Sequence, residues 1–348
     1  MREVASAQER IRRGNLAAVL KHVHLQGSAT RAILADRLHL NRSTILTLTG
    51  ELTQAGLVRE ETPRRRASRA GRPSFVVLPG SGAYVLAFDL RPDGLSAARV
   101  ALGGRVLERR EVAIDSRAEA TAWQIVRVGS ALVREASRGS VCVGAGVSVP
   151  PPARAVAGAG AAARENLLGA VRAARRAEPY RNRPFLIGHD VNLAVTAEHR
   201  RGAGIGRQNL IYLQSRDGLR GGVVIGGAPI GGDEGYGVDL GHLIVTPDGH
   251  ACRCGSRGCL EAELGRGDGT SARRVLEAGL AKLRVLFAPE LIVFGGSLRA
   301  LNTPPAGRCH GIQLVNAALG DDAILVGTAE LAFSALLADP IGVIDNLP

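Results

Sequence analysis

No apolar run in these 348 residues approaches the roughly 18–20 that a membrane-spanning helix requires. The opening stretch, MREVASAQERIRRGN, is polar and lacks the apolar centre of a secretory signal. Both absences argue against a membrane or exported protein, and the expectation is a cytoplasmic chain with no membrane partner. Lysine is nearly missing: of 44 basic residues only Lys21 and Lys282 are lysines. That arginine and alanine bias reflects a GC-rich genome more than a function. Acidic residues are scarce at the front. Residues 1–73 carry 14 basic and 6 acidic side chains, so this segment holds +8 of the total +12 and the other 275 residues hold +4. A small basic front on a near-neutral body suggests an attached nucleic-acid-binding module, with a solvated charged face as the alternative.

What is present is ordinary for a soluble globular protein: 45% hydrophobic and 22% charged residues, in a chain long enough for two or three domains. In NLAAVLKHVHLQG, Leu16, Val19, Leu20 and Val23 make the i, i+3, i+4, i+7 stripe of an amphipathic helix that ends near Gly27. Thr30 is placed to cap a second helix, RAILADRL, with Ile33, Leu34 and Leu38 inward. After a turn at His39–Leu40, Asn41 can cap a third, RSTILTLTGELTQAG, with Ile45, Leu48 and Leu52 inward and Gly56 as its stop.

Two short helices, a tight turn and a polar-faced third helix match a helix-turn-helix. Arg42, Ser43, Thr44 and Thr47 are then expected outward, able to approach phosphates and base edges with no acid intervening. GLVREE and PSFVVL read as the strands of a wing. Between them Arg69 and Arg72 flank an Ala-Gly pair before Pro73, slender enough for a narrow minor groove. The competing reading is a three-helix protein-interaction domain with a linker.

Three cysteines fall within eight residues in HACRCGSRGCLE. Disulfides would pair two and strand the third, whereas a metal would take all three with one further ligand from elsewhere. Reduced surface thiols are the plainest alternative. From Tyr84 onward short apolar strands alternate with helices, which implies an α/β body. Strands ending in acid at AFDL and LIGHD suggest two lobes with a cleft. The stretch GRGDGTSARR reads as a loop, and GTAELAFSALLADP as a C-terminal half-helix that closes the folded part.

From about Asn15 to Pro340 the sequence resembles the ROK family (repressors, open reading frames and kinases), in particular its transcriptional-regulator branch. DLGHLIVTPDGHACRCGSRGCLE is similar to the family's Glu-x-Gly-His segment followed by Cys-x-Cys-Gly-x-x-Gly-Cys-x-Glu; RAILADRLHLNRSTI, AGLVRE and GRP resemble the winged helix of the repressors. The resemblance implies a winged helix-turn-helix over 1–78 and a two-lobed, actin-like domain over 79–348. Its lobes would span about 79–190 and 191–325, with a C-terminal helix about 326–340. It also supplies the fourth ligand: His242 joins Cys252, Cys254 and Cys259 in a closed set of the type that holds one structural zinc, with Gly255 and Gly258 letting the loop fold tightly. Cys142 and Cys309 have no partner motif.

The same resemblance raises the question of sugar phosphorylation. Family kinases open with Asp-x-Gly-Gly-Thr, whose bare backbone N–H groups approach nucleotide phosphates; here the stretch is Asp89-Leu90-Arg91-Pro92-Asp93-Gly94. Pro92 has no N–H and Asp93 brings a negative charge to the phosphate position, so ATP binding and catalysis are not expected. On the sugar side the resemblance implies Asp190 as the matching general base, with His189 in the place of an asparagine, Asp239 in the place of a glutamate, and His242 and Glu261 kept. Asp190 could instead be a strand-end residue that caps the next helix. The expected function is a repressor of carbohydrate-related genes, a homodimer or homotetramer on an inverted-repeat operator, with a carbohydrate effector in the cleft. The alternatives are a sugar kinase with an appended DNA-binding domain, or a regulator that answers to a partner protein.

Overall fold

The computed structural model describes residues 2–62, 75–91, 94–114, 118–150, 159–216, 218–231, 238–267, 269–301, 308–309 and 311–347. The front comprises α1 (Arg2–Gln26), β1 (Ala29–Thr30), α2 (Arg31–Leu38), α3 (Arg42–Gln54), β2 (Val58–Glu61) and β3 (Val76–Pro79). Its strands form an antiparallel sheet in the order β1-β3-β2. Both expected caps are present. Thr30 accepts a hydrogen bond from Ile33 N at 3.2 Å, and Asn41 accepts one from Thr44 N at 2.7 Å.

Leu16, Val19, Leu20, Val23, Leu34, Ile45, Leu48 and Leu52 are buried as the periodicity requires. Ile33 is not: it is 47% exposed, because the short α2 turns only Leu34 fully inward. Helix α1 also begins well before Asn15. Its first half has no apolar stripe, with Ile11 63% exposed, so apolar periodicity gives no sign of it, but it lies against α3 through the Arg12–Glu51 ion pair.

The body carries two mixed sheets. The first, ordered β6-β5-β4-β7-β8, is built from β4 (Ala83–Leu90), β5 (Gly94–Ala101), β6 (Val106–Ala113), β7 (Val141–Val149) and β8 (Phe185–His189). The second, ordered β11-β10-β9-β12-β14-β13, uses β9 (Leu210–Ser215), β10 (Leu219–Ile225), β11 (Ala228–Pro229), β12 (Leu291–Gly296), β13 (Arg308–Cys309) and β14 (Ile312–Asn316). Parallel pairings β4–β7, β7–β8, β9–β12 and β12–β14 need crossovers, and these run through helices. The helices are α4 (Ala118–Arg134), α5 (Ala159–Ala174), α6 (Asp190–Arg201), α7 (Leu260–Leu264), α8 (Gly269–Phe287), α9 (Leu298–Leu301), α10 (Ala323–Ala332), α11 (Ser334–Ala338) and α12 (Pro340–Asp345). Strand β4 is buried along its whole length as a central strand, while the edge strand β6 alternates and carries Glu108, Arg109, Arg110 and Glu111.

Two expectations about the body fail. Residues 269–274 of GRGDGTSARR are the first turns of α8, which buries Leu276, Leu280 and Leu283; the glycines on either side hide the helical period. At the C-terminus the single half-helix is replaced by α10, α11 and α12, so helical structure continues to Asp345. These last helices join the front: Leu16, Val19, Leu20 and Val23 share one apolar core with Ala83, Val85, Leu325, Phe333 and Leu336. Among the described residues no helix is long and apolar enough to cross a membrane.

Candidate functional site

The thiol loop folds by its own backbone. Cys252 N donates to Ser256 O and Gly258 N to His250 O, both at 2.8 Å, while Val245 N reaches Gly258 O at 2.8 Å. Gly255 and Gly258 have φ of +87° and +72°, and a Cβ on Gly258 would run into the Thr246 carbonyl oxygen. The ligand atoms of His242, Cys252, Cys254 and Cys259 consequently lie within 4.8 Å of one another. His242 turns Nδ1 to Cys252 Sγ (3.4 Å), and Cys254 Sγ lies 3.6 Å from Cys259 Sγ. Burial and the neighbouring thiols push the Cys259 thiol up to about 12, a repulsion that a cation among the sulfurs would relieve. This donor set could hold a metal ion.

The candidate cleft residues gather at the start of β10. The carboxylate of Asp190 is engaged on both oxygens: Oδ1 accepts from Val191 N at 2.7 Å and Oδ2 is ion-paired with Arg220. Asp190 is thus the first residue of α6, and His189 precedes it as the N-cap position with its own side chain largely buried. Burial pushes the Asp190 carboxyl up; the Arg220 guanidinium opposes the shift without cancelling it, and Asp89 adds to it.

One residue along β10, Leu219 N donates to Glu261 Oε2 at 3.0 Å, and Arg253 binds the same carboxylate with Nε 2.8 Å from Oε1. Asp239 lies 3.7 Å from His242 Nε2, where it can orient the ring without a direct hydrogen bond. Arg216 Nη1 donates to Asp89 Oδ2 at 2.9 Å, across from the first sheet. Arg216, Arg220 and Arg253 were not picked out by sequence. The signal was there in SRDGLRGG, a glycine-rich turn in which two arginines stand among the glycines. Pro92 and Asp93 lie outside the described residues.

On the front, Arg42, Ser43 and Thr47 are exposed on α3, whereas Thr44 is half-buried. Thr44 lines a groove with Thr47 and Leu48, facing Ile11, Arg12 and Asn15 of α1. Ser43 Oγ donates to Asn41 Oδ1 and Thr47 Oγ1 to Ser43 O, at 2.8 and 3.2 Å. Leu46, 51% exposed, lies in the middle of this polar face and was also not anticipated, although its i+3 and i+4 spacing from Ser43 and Arg42 puts it there. Arg69 and Arg72 lie outside the described residues.

Comparison with known proteins agrees with this architecture. Residues 103–267 match the ROK family. The chain is 31% identical to a glucokinase of Streptomyces coelicolor, with 43% of this chain and 67% of that protein covered. It is 23% identical to the xylose repressor of Bacillus spizizenii, covering 72% of this chain and 65% of that one. The chain spans 61% of the length of the Thermotoga maritima glucokinase that it also matches. In structure it is similar to a ROK family transcriptional regulator described as a homologue of the Escherichia coli Mlc protein. That likeness has a TM-score of 0.70 and 20% identity, with 96% of this chain and 99% of that chain covered, and it is one of fold. With its two mixed sheets, actin-like α/β body and Cys/His cluster, the chain belongs to the ROK family.

Proposed function

We propose that the chain is a DNA-binding transcriptional regulator, a repressor of carbohydrate-related genes that acts as a homodimer or homotetramer on an inverted-repeat operator in the cytoplasm. Residues 1–78 would be the winged helix-turn-helix and 79–348 the effector-binding and oligomerisation domain, with lobes over 79–190 and 191–325. The observation that carries this reading is the exposed face of α3. It is capped by Asn41, presents Arg42, Ser43, Leu46 and Thr47, and the one acid of α3, Glu51, is tied to Arg12. Such a face suits a major groove: hydroxyls and a guanidinium for phosphates and base edges, and one apolar side chain for a thymine methyl. The fold likeness to a ROK regulator along 96% of the chain supports it.

Zinc is the metal that fits three thiols and an imidazole in a closed set. His242, Cys252, Cys254 and Cys259 would hold it, and it would brace the loop that presents Glu261 and Asp239. A carbohydrate in the cleft would meet His189, Asp190, Asp239, His242 and Glu261, displacing Arg220 and Arg253 from the acids. Selection of duplexes from a random pool by the purified protein is the direct test. An enriched inverted repeat is expected, and a pool that stays random removes the reading.

The second reading is a sugar kinase, favoured by 31% identity to a glucokinase. A kinase base must accept the proton of a sugar hydroxyl. Here the Val191 N–H and Arg220 already occupy Asp190, which weighs against turnover. No ATP-dependent phosphorylation of glucose, N-acetylglucosamine or xylose is expected. Turnover that vanishes in Asp190→Asn would establish the kinase instead.

A further inference from the structure

Helix α6 begins at the cleft with Asp190 and ends at Arg201, beside the front of the molecule. At about 1.5 Å per residue it separates those two ends by roughly 16 Å. Its far end enters a polar cluster that none of the proposed roles uses. His24, in the last turn of α1, is fully buried there, and Glu330 of α10 is 2% exposed. His24 Nδ1 accepts a hydrogen bond from Gly103 N at 3.1 Å, and Nε2 lies between Glu330 Oε1 at 3.0 Å and Arg201 Nη2 at 2.6 Å.

Arg201 closes the cluster from α6. Its Nε donates to Glu330 Oε1 at 2.6 Å, while Nη1 donates to His24 O at 3.0 Å and Gly103 O at 2.8 Å. Arg200 adds a hydrogen bond from Nη1 to Glu330 Oε2 at 3.1 Å. Phe333 packs edge-on against the His24 ring, with centroids 5.2 Å apart. One helix end thus ties together α1, the β5–β6 turn and α10.

The other elements make this connection stiff. Gly327 of α10 lies so close to α6 that a Cβ on it would strike the Leu193 carbonyl, so the two helices touch backbone to backbone. Burial raises the Glu330 carboxyl, but the His24 hydrogen bond and the Arg201 and Arg200 charges outweigh it and hold it at about 2, so the acid stays ionised. Burial also lowers His24 and keeps it neutral. Both ring nitrogens of His24 are engaged, Nδ1 by the Gly103 N–H and Nε2 by Glu330 and Arg201, so the ring cannot turn without losing contacts on both sides. Any tilt of α1 would break several of these bonds in a water-poor site, where unmade hydrogen bonds are costly.

We infer that His24, Arg201 and Glu330 are positioning residues, forming the joint that sets the angle of the DNA-binding helices, and that α6 carries the state of Asp190 to this joint. The inference rests on the regulator reading and adds to it where the signal travels. The structure shows two sites at opposite ends of one rigid element, each held by an arginine–carboxylate pair. With Asp190 held by Arg220, α6 is seated at both ends, and this is the arrangement we assign to DNA binding.

A double-mutant cycle tests it, with DNA affinity measured on the duplex that the wild-type chain selects from a random pool. Asp190→Asn, which releases Arg220, should weaken binding at least fivefold. In an Arg201→Lys background the same change should weaken it less than twofold, since the joint no longer transmits. Independent sites this far apart multiply their effects, so an equal fivefold loss in both backgrounds overturns the inference, as does an Asp190→Asn chain with unchanged affinity.

Should Arg201→Lys fail to fold, hydrogen exchange on the Asp190→Asn single variant gives the second reading, and it needs no DNA. Amides of residues 22–26 should exchange at least fivefold faster than in wild type while those of residues 48–52 in α3 stay unchanged; identical rates at 22–26 overturn the joint. A wild-type chain that selects no duplex removes the regulator reading, whereas independent, multiplying effects of the Asp190 and Arg201 changes in a chain that does bind DNA remove the joint alone.

Discussion

The thiol loop and the acidic cleft adjoin one another around the start of β10, yet their polar groups are satisfied in opposite ways. Asp190, Glu261 and Asp89 each face an arginine of the same chain. His242, Cys252, Cys254 and Cys259 instead converge on one another as four lone-pair donors, an imidazole and three thiols. A cluster that has its own counter-ions is stable alone and must be opened by a ligand. A cluster of donors alone depends on a cation from outside. On the proposed reading, the difference separates a site suited to hold a metal permanently from a site suited to competition by a ligand.

The comparison breaks most visibly at the thiols. Bound structural zinc is worth on the order of 10 kcal/mol of apparent free energy in small zinc domains. Cys254→Ser should therefore lose the metal, with a large fall in thermal stability, and a chelator should reproduce the fall in the wild type. One zinc per chain is expected by metal analysis, and stoichiometric zinc remaining in Cys254→Ser would contradict the assignment.

In the cleft, Arg220→Ala leaves Asp190 buried without its partner and should cost about 3–5 kcal/mol at neutral pH, measured by denaturant unfolding. Adding Asp190→Asn should return most of that loss. No recovery would mean that Arg220 stabilises by packing alone.

A third polar cluster, the joint at the far end of α6, is paired like the cleft but around a buried imidazole and a buried carboxylate, and pH sharpens the contrast. Glu330 is held at about 2 in the fold against 4.5 ordinarily. Its contribution is therefore complete above pH 4.5 and lost as pH falls toward 2. His24 is also lowered, from 6.5, so its neutral form stabilises the fold above pH 6.5, and that stabilisation declines as pH drops below. Both signs agree: stability should fall on acidification from pH 6.5 downward. Glu330→Gln should flatten the part below pH 4.5, as pH-dependent melting curves can show.

The smallest effects belong to the exposed α3 face, where nothing is buried and each contact counts only in the complex. Thr47→Ala or Leu46→Ala should change which bases are preferred at about 1–3 kcal/mol per lost contact, leaving stability nearly unchanged. An unchanged base preference would move readout away from α3. Arg72→Ala should instead weaken binding at all sites and lower its salt dependence, since a phosphate-side cation is lost.

Legibility followed the range of the interactions. The caps at Thr30 and Asn41, the stop at Gly56 and the thiol loop are decided by residues within a few positions of each other, and all were readable. The first half of α1 was not, because a helix stabilised by Glu9–Arg12 and Glu9–Arg13 pairs has no apolar stripe. Helix α5 was passed over, and the start of α8 was hidden behind Gly265, Gly267 and Gly269. The arginines that pair with Asp89 and Asp190 come from distant positions, so their role needed the fold. His24 gave a local hint, since it falls on the same helical face as Leu16, Leu20 and Val23; only a buried partner such as Glu330 explains an imidazole there.

The shared core of Leu16, Val19, Leu20 and Val23 with Phe333 and Leu336 has a consequence in time. A ribosome working at 5–20 residues per second needs on the order of 15–60 s to cover the roughly 300 residues between these packing partners. During that interval the front helices exist without the surface that fixes their orientation. A nascent chain can therefore form α3 early, but on the proposed regulator reading it would acquire a defined grip on an operator only after α10 to α12 have left the ribosome.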